Sequence, residues 1–322
     1  VGLGGQVGSK TIKFTLVSDT SINVSQTALS LTAGDASKLG VTAQPQNTTA
    51  GVTFATTVKV GVQDAWGNPV SSAVAITPRL VDSLARTDLT GAGTTATAAN
   101  TNSSTGVATF TNMSFNRAGN VRIKFTTGSG LQTFSEAITI AVAAPDHIPW
   151  VTDPSLTIVN RATIATAPEA ELRDAFDNLV SSGYSATATL GTDNNGNVTS
   201  LANATRTAVG GKFTFSSMVL AAKVGTYRFV IDTLVVTKTS DSSTVTPSHS
   251  LTTRAFTLTH GEANKLTVIT DAAGANSGAK FTTQPILEVQ DADGNPVTTG
   301  AAADAAITMG VDVGTTVASN SI

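Results

Sequence analysis

Three histidines are the side chains in this sequence best suited to acid–base catalysis: His147, His249 and His260. Such a site needs a histidine within reach of a nucleophile or a carboxylate at a recognisable spacing. His147 and His260 fall in or beside short linkers, His249 falls in a Ser- and Thr-rich segment, and none has such a partner. The absence of cysteine excludes disulfides, thiolate metal sites and thiol nucleophiles. We therefore predict no catalytic residue and expect that the protein is not an enzyme.

Two loops combine side-chain oxygens with a glycine, as calcium sites do. Asp291–Asn295 reads Asp-Ala-Asp-Gly-Asn, and residues 193–197 read Asp-Asn-Asn-Gly-Asn. Neither loop is followed by the bidentate glutamate that completes an EF-hand loop. Asp, Asn and Gly are also the residues of ordinary hairpin turns. The sequence favours turns, so we predict no metal ligand and no cofactor, with calcium as the alternative that it leaves open.

The Asp291 loop belongs to a motif that occurs three times in the chain. Its copies are Val62–Val70 (VQDAWGNPV), Leu172–Val180 (LRDAFDNLV) and Val289–Val297 (VQDADGNPV). The first aspartates, Asp64, Asp174 and Asp291, are separated by 110 and then 117 residues. This spacing is the size of one small all-β domain, so the sequence predicts a tandem array of such domains.

Alternating apolar residues lead into each copy of the motif. Val58, Val60 and Val62 share one face of a predicted strand, while Lys59 and Gln63 take the other. Another strand is expected over residues 70–78, a loop over 82–105, and a further strand within 137–144. The remaining predicted core of the first repeat is Met113, Phe115, Val121, Ile123, Phe125, Ile138, Ile140 and Val142. In the second repeat, Ile148 stands for Leu39, Phe215 for Phe110, Met218 for Met113, Tyr227 for Val121 and Phe229 for Ile123.

The repeats divide the chain into four segments. Whole domains are expected over residues 36–143 and 144–261. Residues 1–35 match the closing strands of a repeat, because Lys10, Ile12 and Phe14 align with Val121, Ile123 and Phe125. Residues 262–322 match the opening strands of a third repeat. Each end is therefore predicted to be a part of a split domain, and the short connections 34–37, 145–149 and 261–264 are predicted to be stiff linkers.

The composition argues against several classes of partner. Charged residues make up 13% of the chain and the net charge is −3, so nothing indicates nucleic acid or an anionic membrane surface. No run of residues approaches the roughly 18 apolar positions of a membrane-spanning helix. Low charge leaves wide, nearly neutral surfaces, and such surfaces favour self-association.

Several motifs in a fixed order give the sequence a family resemblance. They are the recurring turn, the Ser37-Lys38-Leu39 opening followed by Gln44-Pro45 and Thr49-Ala50-Gly51, and the run from Gly106-Val107-Ala108-Thr109-Phe110 to Ala118-Gly119-Asn120-Val121. With these motifs the chain resembles, over essentially its whole length, the bacterial Ig-like repeats of the Big or invasin type. Such repeats build invasin- and intimin-type adhesins, S-layer proteins and other large cell-surface chains. The resemblance implies exported β-sandwiches of about seven strands without enzymatic activity. The family's binding residues generally lie in a terminal lectin-like or other cap domain, so the resemblance assigns no binding residue here.

Two functions follow from this interpretation, both at the extracellular cell surface. In the first, the chain is a structural part of an S-layer, sheath or filament and self-associates, with strands from one split end completing the other. In the second, it is an adhesin stalk or a module that binds cell-wall or surface glycan or protein. Trp66 and Phe176 occupy one turn position and would be exposed aromatics in the second case. The alternative for these rings is packing on their own or a neighbouring domain.

Overall fold

The computed structural model describes residues 2–90, 93, 97–181, 183–191, 197–231, 236–238, 240, 244–245, 249–250, 252–274, 276–313 and 316–319. These residues form an all-β protein of tandem Ig-like β-sandwiches, and no helix occurs among them. Within that part of the chain nothing is a helix able to cross a membrane. The chain divides into two compact units, one of residues 1–144 with 174–178 and the other of residues 145–173 with 179–322.

Short strands account for the regular structure of the first unit, as alternating Val, Ile and Thr residues lead one to expect. The strands in residues 1–144 are β1 (Gly8–Lys10), β2 (Lys13–Leu16), β3 (Asp19–Ser25), β4 (Leu29–Leu31), β5 (Lys38–Ala43), β6 (Thr48–Thr49), β7 (Val58–Gln63), β8 (Ala75–Asp82), β9 (Ala99–Asn100), β10 (Val107–Phe110), β11 (Gly119–Thr127), β12 (Gln132–Phe134) and β13 (Ile138–Ala141).

Residues 38–141 form one sandwich of two sheets. One sheet has the strand order β10-β7-β5, and the other has the order β6-β13-β11-β8-β9, with β12 paired to β11. Inward side chains of both sheets, from Leu39 to Ile140, form one buried cluster. All the core residues predicted for this repeat are buried except Val142, which is partly exposed. The predicted strand over 70–78 is displaced, since the strand begins at Ala75 and continues to Asp82.

Strands of the remaining chain are likewise short. They are β14 (Pro145–Ile148), β15 (Trp150–Thr152), β16 (Thr157–Val159), β17 (Glu169–Glu171), β18 (Arg173–Asp174), β19 (Tyr184–Leu190), β20 (Val198–Ala202), β21 (Thr205–Thr207), β22 (Lys212–Thr214), β23 (Val219–Ala222), β24 (Gly225–Tyr227), β25 (Phe229–Ile231), β26 (Val236–Lys238), β27 (Thr244–Val245), β28 (His249–Ser250), β29 (Phe256–Thr259), β30 (Lys265–Thr270), β31 (Ile286–Gln290), β32 (Gly310–Val313) and β33 (Thr316–Ser319).

Side chains from Ile148 to Leu258 in the sequence form a second buried cluster. It contains every core residue predicted for the second repeat. The linker predicted at 145–149 is wrong in part, because Pro145–Ile148 is strand β14. Pro145 is the first residue of this strand, and Pro149 directly follows its last residue. The backbone of the strand is held by pairing with its neighbours β18 and β28. Proline at the start of a strand is compatible with pairing, which explains why the two prolines do not make a linker here.

The strands outside the two sandwiches reproduce the pairing of the sandwich strands. In residues 8–31, Gly8 pairs with Leu31 and Lys10 pairs with Leu29. The equivalent pairs of the first sandwich are Gly119 with Ile140 and Val121 with Ile138. In residues 265–290, Lys265 pairs with Gln290 and Leu266 pairs with Val289. The equivalent pairs of the first sandwich are Lys38 with Gln63 and Leu39 with Val62. We call β1–β4 (residues 8–31) the N-terminal hairpins and β30–β31 the C-terminal hairpin.

Candidate functional site

The three copies of the repeated motif form turns of one design. We name them by their end residues, as the Asp–Asn turns Asp64–Asn68, Asp174–Asn178 and Asp291–Asn295. In each turn, Oδ1 of the aspartate accepts hydrogen bonds from the backbone N–H groups two and four residues later. These distances are 3.0 and 2.9 Å in the first turn, 2.9 and 2.9 Å in the second, and 2.9 and 2.9 Å in the third. Aspartate is suited to this role because its short side chain reaches its own following backbone.

The residue before the asparagine has a positive φ in every turn. Gly67 and Gly294 have φ values of 84° and 75°, and Asp177 has a φ of 65° at the equivalent position. Glycine adopts this conformation without steric cost, and Asp and Asn tolerate it better than other residues do. The sequence therefore folds into the same turn although the residue itself changes.

The second oxygen of each aspartate binds both the end of its own turn and the backbone upstream of the turn. Oδ2 accepts a hydrogen bond from the asparagine Nδ2 at the end of the turn and another from a backbone N–H about thirty residues upstream. The upstream donors are Gly34 (3.1 Å), Ala143 (2.9 Å) and Gly261 (2.8 Å). Each aspartate thereby ties its turn to the end of the segment that precedes it.

Each asparagine binds a stretch of upstream backbone through both atoms of its carboxamide. Its Oδ1 accepts from one backbone N–H, and its Nδ2 donates to the carbonyl two residues earlier, much as a neighbouring strand would. The partners are Val7 and Gly5 for Asn68 (2.9 and 2.8 Å), Ala118 and Asn116 for Asn178 (2.9 and 2.6 Å), and Val224 and Ala222 for Asn295 (2.8 and 2.9 Å).

Most of these polar side chains are buried, with Asn178 partly exposed, and burial makes their hydrogen bonds important for stability. Asp64 and Asp291 are each 1% exposed, and Asn295 is fully buried. Among the described residues no buried side-chain nitrogen or oxygen lacks a partner. Leaving one such group unpaired costs about 1–3 kcal/mol. A turn with this many buried polar groups is therefore stable only when its upstream partner is in place.

Hydrogen bonding lowers the pKa of two of the turn carboxylates, those of Asp64 and Asp291. Burial alone would raise the pKa of Asp64, but bonds from Asn68, Gly34 and Trp66 outweigh it and lower the pKa to about 2. The pKa of Asp291 is also lowered, because its donors outweigh the effect of burial. Hydrogen bonds to a charged carboxylate stabilise the charged form. Both aspartates are therefore held as carboxylates at neutral pH.

The third position of the turn has a matched partner upstream. Phe176 lies over Gly51, where a Cβ atom would come 2.3 Å from the ring. Asp293 instead binds Arg161, with bonds of 2.7 Å to Nε and 2.8 Å to Nη2. Gly51 and Arg161 occupy equivalent places: both have positive φ, 75° and 64°. Their N–H groups also bind equivalent carbonyls, those of Phe115 and Leu220.

Trp66 holds the third position of the first turn and packs on an upstream glycine as well. A Cβ atom on Gly4 would lie 2.4 Å from Cζ2 of the indole ring, and Gln6 donates a hydrogen bond to the Trp66 carbonyl. The ring is nevertheless 55% exposed. Both aromatic rings therefore pack on a neighbouring segment, and both also keep an exposed side, since Phe176 is 38% exposed.

The three histidines form different contacts in the structure. His147 bonds Asp146 at 3.2 Å, and His260 bonds Thr299 at 2.9 Å. The backbone of His249 pairs with that of His147 in β14 and β28. Within the described part of the chain, no group of three or more His, Cys, Asp or Glu residues could hold a metal ion.

The structure describes the Asp291 loop, the first of the two loops whose sequences could suit calcium, but only the last residue of the second loop. In the Asp291 loop, both aspartate oxygens accept hydrogen bonds from N–H groups, and Asp293 binds the Arg161 guanidinium. Oxygens that face N–H donors suit a turn, whereas a calcium site would direct them at the cation. Residues 193–196 of the other loop lie outside the described residues, so the calcium alternative stays untested there.

Sequence reasoning found the turns but not their upstream contacts. The signal was present, because Asp at the first position and Asn at the fifth recur in all three copies, whereas the third and fourth positions between them change. A turn alone needs only the aspartate, so the constant asparagine indicated a second partner.

Among known proteins, this chain is similar to solved structures only. No family model matches the sequence, and no curated protein matches it. Among similar structures is the Escherichia coli adhesin FdeC, with 16% identity over 83% of this chain and 78% of that chain and a TM-score of 0.38. Another is Yersinia pseudotuberculosis InvD, with 16% identity, 81% and 71% coverage, and a TM-score of 0.37. Domains 4–9 of the surface layer protein SbsC match with 17% identity, 90% and 42% coverage, and a TM-score of 0.24.

Proposed function

We propose that this chain is a structural module of a cell-surface assembly, such as an S-layer, a sheath or an extracellular filament, and that it catalyses no reaction. The observation that carries the proposal is the repetition of the Asp–Asn turn with the same upstream contacts in all three copies. A module that sets spacing or bears load needs each such turn held in one way by the backbone upstream of it. The resemblance to bacterial Ig-like repeats supports the extracellular location.

Buried, fully paired polar groups suit this role better than an apolar contact would. An apolar contact tolerates sliding, whereas the Asn295 carboxamide fits one N–H and one carbonyl at a fixed spacing. Polar networks of this kind favour one arrangement over its alternatives. The turns therefore contribute a defined geometry in addition to stability.

Immunogold labelling of intact source cells tests this proposal. Antibodies raised against the purified chain should decorate the outer surface, and extraction of surface layers should remove the label. Labelling that appears only after the cells are permeabilised would contradict a surface role. A preimmune serum on the same cells is the control for nonspecific decoration.

The exposed side of Trp66 favours a second candidate, an adhesin stalk or a glycan- or protein-binding surface module. Exposed aromatic rings are common contact points for such partners. Saturable binding of the purified chain to a glycan array, lost in Trp66→Ala and kept in Leu84→Ala, would support it. Leu84 is the matched control because it is a large apolar side chain that is 92% exposed. Binding that is equal in both variants would exclude Trp66 as the contact.

A further inference from the structure

The aspartate and asparagine of each Asp–Asn turn do not distinguish one upstream segment from another. The upstream bonds that all three turns share go to backbone N–H and carbonyl groups, and their lengths are closely similar. Every residue except proline presents both groups, so these bonds do not depend on the upstream side chains. By these contacts alone, each of the three turns would fit each of the three upstream segments.

The third position of the turn is where the turns differ in what they contact upstream. Phe176 in the second turn lies over Gly51, which has no side chain. Asp293 in the third turn binds Arg161 through two hydrogen bonds. Arg161 occupies the place of Gly51 and has the same kind of positive φ. Two different pairs thus stand at one position of the same design.

An exchange of the two upstream segments would be unfavourable for both turns. A Cβ atom at Gly51 would lie 2.3 Å from Cζ of the Phe176 ring, and Arg161 has such a Cβ atom. Asp293 would lose the guanidinium group. Its side chain is 3% exposed, and a buried carboxylate without its charge partner is strongly destabilising. The ring therefore requires glycine beneath it, and the carboxylate requires arginine.

Two further contacts agree with this division. The residue before the upstream contact is Asn160 for the third turn, and its Nδ2 donates to Asp293 at 2.7 Å. For the second turn that residue is Ala50, whose methyl group cannot donate a hydrogen bond. In the first turn, Trp66 lies over Gly4, so an aromatic ring again stands on a glycine.

We propose that the third turn residue and its upstream contact select which segment a turn binds, through two classes of matched pair: an aromatic ring on glycine and a carboxylate on arginine. The inference deepens the proposed function and rests on it, because a module that sets spacing needs its turns attached in one order. A carboxylate turn is thereby excluded from segments that present glycine, in its own chain and in neighbouring copies. The shared backbone bonds supply attachment, and the matched pair supplies selectivity.

A change of class at the second turn of the full chain tests the proposal. The variants are Phe176→Asp, Gly51→Arg and the two together. The readout is hydrogen exchange of the Ala118 amide, which donates to Asn178 at 2.9 Å. Each single variant should speed this exchange at least about tenfold, because one loses the ring contact and the other places a Cβ atom against the ring. The effect in the double variant should be smaller than the product of the single effects by at least about fivefold, because carboxylate and guanidinium again match.

The reverse change at the third turn does not depend on how well Gly51→Arg folds. Its variants are Asp293→Phe, Arg161→Gly and the two together, read by exchange of the Val224 amide, which donates to Asn295 at 2.8 Å. Glycine adopts the positive φ of Arg161 without strain. A coupling of at least about fivefold is expected here too, since the ring then has glycine beneath it. If circular dichroism shows that Gly51→Arg is unfolded, this set alone decides the proposal.

Val52→Arg combined with Phe176→Asp is the matched control. Val52 directly follows Gly51 and is 53% exposed, so arginine there adds the charge without the position. The effect of this pair should equal the product of its single effects. Among variants that fold, a lack of coupling in either exchange of class would overturn the proposal, as would an equal coupling in the control. Immunogold labelling does not depend on these couplings, so failure here is distinguishable from failure of the proposed function.

Discussion

Asn160 and Asp291 are 131 residues apart in the chain and are joined by a buried hydrogen bond of 2.8 Å from Nδ2 to Oδ2. Nδ2 of the same asparagine also donates to Asp293 at 2.7 Å, and its Oδ1 accepts from the Ala222 N–H at 3.0 Å. Asn160 therefore connects the third turn to the strand that the turn's own Asn295 also binds. Removing one member of this network should weaken the attachment of the whole turn.

Asn295→Ala should lower the free energy of unfolding by about 1–3 kcal/mol, because it leaves the buried Ala222 carbonyl and the partly buried Val224 N–H without their partner. Urea denaturation measures this loss. Hydrogen exchange of the Val224 amide should become faster, which reports the contact directly. Asn264→Ala is the control, since Asn264 is exposed beside the same turn and should change stability by less than about 0.5 kcal/mol. Unchanged exchange at Val224 would contradict this account of the turn.

The sequence predicts the sandwich cores well because burial follows a simple period. Val60 and Phe125 alternate with polar residues along their strands, and alternation reports which face a side chain takes. The matching of Phe14 with Phe125 rests on the same kind of pattern, and the pairing registers agree with it.

Contacts of the turns could not be predicted in the same way. Asn295 binds backbone atoms of Ala222 and Val224, and a backbone group leaves no signature in the side chains of those residues. Strand β14 was missed for a related reason: Pro145 and Pro149 indicate a linker locally, and the pairing that holds the strand comes from residues distant in sequence.

Stability should fall steeply as the pH drops from about 4 to about 2. Asp64 and Asp293 each have a pKa lowered to about 2, the latter mainly by its hydrogen bond to Arg161. Because the folded pKa lies below the unfolded value of about 3.9, the stabilisation is complete above about pH 4 and is lost as the pH falls through the folded pKa. Thermal melts at a series of pH values measure the loss.

The same melts on two variants identify the groups responsible. Asp293→Asn should reduce the slope of melting temperature against pH in this acidic range, because it removes one of the titrating groups. Asp88→Asn replaces an exposed carboxylate whose ion pairs are 3.7 and 3.9 Å long, and it should leave the slope unchanged. Equal slopes in Asp293→Asn and the unmodified chain would contradict the prediction.

Arg161 and Asp293 should show a clear coupling energy in a double-mutant cycle. Two parallel bonds between a guanidinium and a carboxylate that is 3% exposed are stronger than a surface ion pair. Arg161→Gln and Asp293→Asn should each destabilise, and the double variant should lose less than their sum, with a coupling of about 1 kcal/mol or more. Urea denaturation of the four proteins gives the value.

A cycle between Arg79 and Asp88 is the matched control for that measurement. These side chains are 62% and 48% exposed and 3.9 Å apart. Solvent screening should reduce their coupling to about 0–0.5 kcal/mol. If both cycles gave the same coupling, the Arg161 pair would be an ordinary surface pair and the matching at the third turn position would have no energetic basis.

Gly106→Ala should destabilise the first sandwich by at least about 2 kcal/mol. Gly106 has a φ of 65°, and a Cβ atom there would lie 1.9 Å from the Val70 carbonyl oxygen, so alanine is both strained and obstructed. Its carbonyl accepts the Val62 N–H at 2.9 Å in the approach to the first Asp–Asn turn, so a shift there should also speed exchange of the Val62 amide. Gly128→Ala is the control, because a Cβ atom at Gly128 has nothing within 4 Å. Urea denaturation should separate the two variants clearly, and equal stability would show that the backbone at Gly106 can move away at little cost.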